Sequence, residues 1–82
     1  MNPQTIRDAV VEALRSVAPE LDPSALADTT RLREELDLDS MDFLNVIVAI
    51  HAALQIEIPE ADYAKVQTLG GMVSYLTSKL ER

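Results

Sequence analysis

Ser40 is the residue with the clearest chemical potential. It stands between Asp39 and the pair Met41-Asp42, where an acidic stretch gives way to a long apolar run. Nucleophilic catalysis would require a base within about 3 Å of its hydroxyl. The one histidine, His51, lies eleven residues further on. On a helix that is nearly the same face but about 16 Å away along the axis, so His51 reads as a surface histidine. A calcium loop also fails. Asp37 and Asp39 begin like D-x-D, but Met41 takes the next alternate position, Asp42 the turn glycine's place and Val48 the twelfth position. Without cysteine or a second histidine there is no zinc set, and Gly70-Gly71 is no phosphate-binding loop. What the pattern does allow is attachment. A serine at an exposed helix N-terminus can carry a phosphodiester, because the amides there favour an anion. A chain lacking its own thiol can then carry a thioester on an attached arm.

The elements that must position Ser40 are legible from spacing. A serine just before an apolar-periodic run reads as a helix N-cap, and from Met41 to Gln55 no Gly or Pro interrupts about four turns. At about 100° per residue, Phe43, Val46, Ile47, Ile50, Ala53 and Leu54 form one broad arc, the core face. Met41, Leu44, Val48 and Ala52 form a second arc, nearly opposite. Asp42, Asn45 and Ala49 separate the arcs on one side, and His51 and Gln55 border the second. A helix apolar on two faces is buried all round or offers one face to a partner. Two packings compete. The connection over 19–36 can fold across the second arc, or Leu44 and Val48 stay exposed as a docking face; the second is expected.

Upstream, Asn2 is a good N-cap and Pro3 suits the first helical position. Ile6, Val10, Ala13 or Leu14, and Val17 give an amphipathic stripe that Ala18-Pro19 stops. Residues 19–36 form a long connection rich in turn formers, with a short helical turn near 24–27. It is pinned by Leu21, Leu26, Leu32 and Leu36, and its length marks it as ordered or functional. Downstream, Ile56-Glu57-Ile58-Pro59 is extended. Glu60–Val66 forms a brief helix with Tyr63 and Val66 inward. Thr68 caps a last helix carrying Leu69, Met72, Val73, Leu76 and Leu80. Gly70-Gly71 costs about 1 kcal/mol per glycine relative to Ala, so its first turn is expected to be loose.

The expected fold class is all-α, a small four-helix bundle with a long ordered loop between the first two helices and a short third helix. It forms a single domain over residues 1–82. A chain of 82 residues buries only about 60 % of its unfolded surface, too little for a deep catalytic cleft. At 48 % hydrophobic residues it is globular, not disordered. No run of about 18 apolar residues or secretory leader is present. With cysteine absent, an intracellular, reducing location is the natural reading; the expectation is a cytoplasmic protein, monomeric and without membrane insertion. Fourteen acids face seven bases, a net charge of −7, and five of the acids fall between Glu34 and Asp42. That field argues against nucleic acid and favours partners with basic patches.

Asp39-Ser40-Met41, preceded by Leu32-Arg33-Glu34-Glu35-Leu36 and followed by the apolar helix and Ile56-Glu57-Ile58-Pro59, resembles the acyl carrier protein family. The resemblance covers nearly the whole chain. It implies a 4′-phosphopantetheine arm on Ser40, attached from coenzyme A by a phosphopantetheinyl transferase using Mg²⁺. It implies a freestanding carrier that presents acyl thioesters to acyl-transferring, ligase or synthase enzymes of fatty-acid, polyketide or another specialised pathway, and is not itself an enzyme. The matching partner face is Asp37, Asp39, Met41, Asp42, Leu44, Asn45, Val48 and His51. The sequence departs from the family where Asp37-Leu38 replaces a glycine-containing pair and Met41 replaces Leu. Asn45, His51 and Ala52 stand where partner-facing glutamates are usual. Without an arm, the chain would be an acidic helical adaptor with Ser40 only a cap.

Overall fold

In the computed structural model, which describes residues 2–80, helix α1 spans Pro3–Val17. Its start is built as expected: Asn2 Oδ1 accepts the Thr5 amide at 2.8 Å and Pro3 takes the first helical position. Arg15 lies in the last turn, where a cation suits the carbonyl ends. Ile6, Val10, Ala13 and Leu14 are its buried stripe, while Val17 is only half-buried.

The connection after α1 is ordered by its own anchors. Pro23–Ala25 form one 3₁₀ turn, with Asp22 Oδ1 accepting the Ser24 amide. Leu26 is buried. Arg7 reaches from α1 to pair with Asp28 at 2.9 Å and donates to the Leu26 carbonyl. Thr30, the one buried polar residue described, accepts the Ala27 amide on its hydroxyl and the Leu69 amide on its carbonyl.

One element was not anticipated. Leu32–Glu35 form a single α-turn, α2. Four residues are too few to show a periodicity. The turn is held by tertiary contacts instead: Leu32 is fully buried and its amide donates to the Gln67 carbonyl at 2.9 Å. Asp37 then enters the left-handed region, with φ 56°, and the Leu38 amide returns to the Arg33 carbonyl at 2.9 Å. This is a Schellman closure with aspartate at the position usually given to glycine. It buries Leu38 and aims the chain into the next helix.

Helix α3 spans Ser40–Leu54. Phe43, Val46, Ile47, Ile50 and Leu54 are buried as expected, but Ala53 is exposed. It lies at the margin of the core arc, and its methyl group is too short to reach inward. Gln55, at φ 59°, ends the helix one residue early in the left-handed region. Ile56 and Ile58 are buried on either side of exposed Glu57, the alternation of an extended segment. Glu60–Val66 are helical but of the 3₁₀ type. Tyr63 stands edge-on to Phe43, with ring centroids 5.6 Å apart.

Helix α4 spans Leu69–Leu80 and buries Leu69, Met72 and Leu76, with Val73 and Leu80 half-buried. Thr68 Oγ1 accepts the Gly71 amide at 3.0 Å, the expected cap. The glycines do not mark a loosely attached turn. The Gly70 amide donates to the Asp28 carbonyl at 2.9 Å, and a Cβ on Gly70 would stand 2.9 Å from Asp28 Cβ. A Cβ on Gly71 would stand 2.8 Å from the Lys65 carbonyl oxygen. Close approach of neighbouring backbone explains both residues. Helix α1 packs on α3 and α4, and α4 packs on the 3₁₀ helix. The result is the expected all-α bundle of four principal helices, and no strand occurs among the described residues.

Candidate functional site

Ser40 is the first residue of α3, not its cap. Asp39 is the cap: its Oδ1 accepts the Asp42 amide at 2.8 Å, and Asp42 Oδ2 accepts the Asp39 amide in return at 3.4 Å. Two adjacent residues were both good caps. Aspartate prevailed because Asp42, three residues on, completes the reciprocal box. Ser40 is exposed, and its hydroxyl is left free of any capping duty. Its one described side-chain partner is Arg33, whose Nη2 donates to Ser40 Oγ at 3.2 Å. The Leu32 anchor and the Leu38 return together hold the α2 backbone that carries Arg33.

The acids around Ser40 are not equivalent. Glu34 pairs with Arg31 at 3.1 Å, and Glu35 accepts the Arg31 amide. Asp39 and Asp42 cap each other's backbone, with Asp42 half-buried and Asp39 exposed. Asp37 is exposed on the left-handed turn.

The second arc of α3 is open to solvent. Met41 is 65 % exposed, Leu44 45 % and Val48 59 %, and Asn45, His51 and Ala52 are exposed beside them. The long connection does not cover this arc; Leu26 and Leu32 pack into the core. Ser40, Met41, Leu44, Val48 and His51 therefore share one open side of α3. His51 lies in the last turn of the helix that Ser40 begins, too far along the axis to act as its base. An apolar groove of about 250 Å³ opens between α3 and the 3₁₀ helix, lined by Ile47, Val48, His51, Glu57, Ile58 and Tyr63. Sequence reasoning missed this groove, because it arises where two elements meet.

No group of three or more potential ligands suited to a metal occurs among the described residues, and none of their helices is long and apolar enough to cross a membrane.

A family model described as the phosphopantetheine attachment site matches residues 4–76. An acyl carrier protein of Campylobacter curvus is 30 % identical over 71 residues, which cover 87 % of this chain and 86 % of that protein. A mitochondrial protein of Schizosaccharomyces pombe, provisionally assigned as an acyl carrier protein, is 33 % identical over 60 residues; these cover 73 % of this chain and 54 % of that one. The solution structure of a provisionally assigned acyl carrier protein from Anaplasma phagocytophilum superposes with a TM-score of 0.83 at 28 % identity, covering 96 % of this chain and 92 % of that one.

Proposed function

Since the chain belongs to the phosphopantetheine-attachment family of acyl carrier proteins, we propose that Ser40 bears the arm and that the open side of α3 is where partner enzymes dock. The observation that carries this reading is the division of labour at the helix start. Asp39 does the capping, so an exposed serine hydroxyl stands free at the first helical position. The residues present fit the group. Modification leaves the cap intact, nothing buried must move, and a guanidinium already faces the oxygen that would bear the phosphate.

In the loading step, Ser40 Oγ bonds to the pantetheine-side phosphorus of coenzyme A. The pyrophosphate P–O bond breaks and 3′-phospho-AMP leaves with its electron pair. The serine proton passes to a base of the transferase, since His51 stands about 16 Å along the helix. Mg²⁺ held by the transferase would balance the phosphate charge. Once attached, the arm supplies a terminal thiol that holds acyl groups as thioesters. The chain is thus a carrier, and the bond-making belongs to the enzymes that visit it.

Met41, Leu44 and Val48 supply apolar contact for those enzymes, with Asn45 and His51 beside them. Asp37, Asp39 and Asp42 supply the charge that steers a basic rim toward Ser40. The strip lacks acids at Asn45, His51 and Ala52, so docking along it depends more on apolar contact. Acyl-transferring, ligase or synthase enzymes of fatty-acid, polyketide or a related specialised pathway are the partners this surface suits. The groove beside Val48 and Tyr63 is smaller than a drug-sized site and suits a short acyl segment. A monomer is the working form, because a second copy seated on the strip would block both it and Ser40. The reducing cytoplasm, or an organelle equally reducing, is the setting that keeps a terminal thiol usable.

The test is mass spectrometry after incubation with coenzyme A, Mg²⁺ and a broad-specificity transferase. Wild type should gain one arm on the peptide containing Ser40, and Ser40→Ala should gain none. No gain by wild type with any of several transferases would leave the chain as an unmodified adaptor.

A further inference from the structure

We infer that Arg33 is the counter-charge of the arm: its guanidinium, 3.2 Å from Ser40 Oγ in the free protein, pairs with the phosphodiester once Ser40 is esterified. This rests on Ser40 being the attachment serine.

Arg33 behaves unlike the other described arginines. Arg7, Arg15 and Arg31 each reach a carboxylate, on Asp28, Glu12 and Glu34 respectively. Arg33 lies in the most acidic part of the chain, beside Glu34, Asp37, Asp39 and Asp42 in sequence, yet forms no ion pair among the described residues. It donates to a neutral hydroxyl instead. A cation so placed keeps its charge available for an anion that arrives later.

Its location is built rather than incidental. The Leu32 side chain before it is fully buried, and the Leu32 amide is tied to Gln67. Its own carbonyl accepts the Leu38 amide through the left-handed turn at Asp37. These contacts hold the Arg33 backbone on the side of the turn that faces the start of α3.

The chemistry also favours such a group. Esterification adds a permanent negative charge between Asp39 and Asp42, and like charges at that range oppose it. The helix N-terminus offsets only part of this, because the Asp42 and Phe43 amides are already engaged by Asp39. A guanidinium beside Oγ supplies a planar pair of donors that match phosphate oxygens better than an ammonium does.

The experiment compares unloaded and loaded forms of wild type, Arg33→Gln, Arg33→Lys and Arg31→Gln, each loaded to completion and checked by mass. Denaturation at low salt reads the change in the folded-to-unfolded ratio on loading. Relative to wild type, Arg33→Gln should lose about 1.5- to 5-fold of that ratio on loading, the range of an exposed ion pair. Arg33→Lys should lose less, Arg31→Gln should match wild type, and the difference should shrink at high salt. An equal loading effect in wild type and Arg33→Gln would overturn the inference. So would a loss in Arg31→Gln as large as in Arg33→Gln, since that would be bulk charge and not contact. On wild type alone, loading should shift the Arg33 side-chain ¹⁵N signals, and unmoved signals would likewise count against it. Absence of any arm on Ser40 would sink the attachment reading and this one together. An arm present with Arg33 indifferent to it would sink this one alone.

Discussion

Exchanging Asp39 and Ser40 separately should split stability from function at two adjacent residues. Asp39→Ala removes the side chain that accepts the Asp42 amide at 2.8 Å, while the backbone amide of residue 39 can still donate to Asp42 Oδ2. Loss of an N-cap costs about 1 kcal/mol, within a range of roughly 0.5–2. Loss of a negative charge at the helix start adds about 0.3–1 kcal/mol. For a domain of this size, each kcal/mol lowers the melting temperature by about 4–8 °C. Asp39→Asn keeps the cap and drops the charge alone, so it should retain most of that stability. Ser40→Ala removes an exposed hydroxyl that caps nothing, and surface changes stay within about 0.5 kcal/mol. Thermal denaturation followed by circular dichroism reads the first effect, and arm addition followed by mass spectrometry reads the second. Asp39→Ala should melt several degrees lower and still accept an arm, more slowly. Ser40→Ala should melt close to wild type and accept none. If Ser40→Ala were destabilised as much as Asp39→Ala, the serine would be the cap after all, and the argument for a free hydroxyl would collapse.

Two further outcomes test the surface and the packing of the last helix. Leu44→Ser and Val48→Ser should each cost no more than about 1 kcal/mol, since both residues are about half exposed and full burial is worth only about 1.5–3. Ile50→Ala, at a fully buried position, should cost about 2–5 kcal/mol; denaturant titrations that ranked Val48→Ser with Ile50→Ala would place the second arc in the core. Tyr75 donates to Asp62 Oδ2 at 2.6 Å, which holds the Asp62 carboxyl below its usual range. Burial, together with that bond, pushes the Tyr75 phenol up to about 12. The Asp62 contribution is therefore present above its unfolded value of about 3.9 and lost as pH falls below it. The Tyr75 contribution is present below its unfolded value of about 10 and lost as pH rises through about 12. Tyr75→Phe should flatten both edges of the stability profile, and a carboxyl NMR titration should show the Asp62 pKa rising.

The principal helices were legible because each carries its own local signals. Asn2-Pro3 opens α1, Ala18-Pro19 closes it, and the apolar spacing between them fits one stripe. In α3 the spacing showed more: two arcs pointing apart cannot both enter a core this small, and the structure leaves the second one open. What failed was local reasoning about contacts supplied from elsewhere. The α2 turn exists because Leu32 is buried and Gln67 accepts its amide, and neither fact is written in residues 32–35. Gly70-Gly71 reads as a weak helix start by propensity. In the fold, both positions exclude a side chain because Asp28 and Lys65 stand too close.

The site shows the same boundary at finer scale. The serine, its acids and the apolar helix lie within a few residues of one another, so spacing alone brought them together. The exchange of roles between Asp39 and Ser40 was within reach, because Asp39 and Asp42 already have the three-residue spacing of a reciprocal cap. Arg33 was not within reach. Seven residues separate it from Ser40, and its approach depends on a left-handed aspartate that no glycine announced. A glycine at residue 37 would advertise the turn, whereas an aspartate conceals it and adds a negative charge close to the serine. The arginine brought back by that turn donates to the Ser40 hydroxyl, even though several carboxylates lie nearby in sequence.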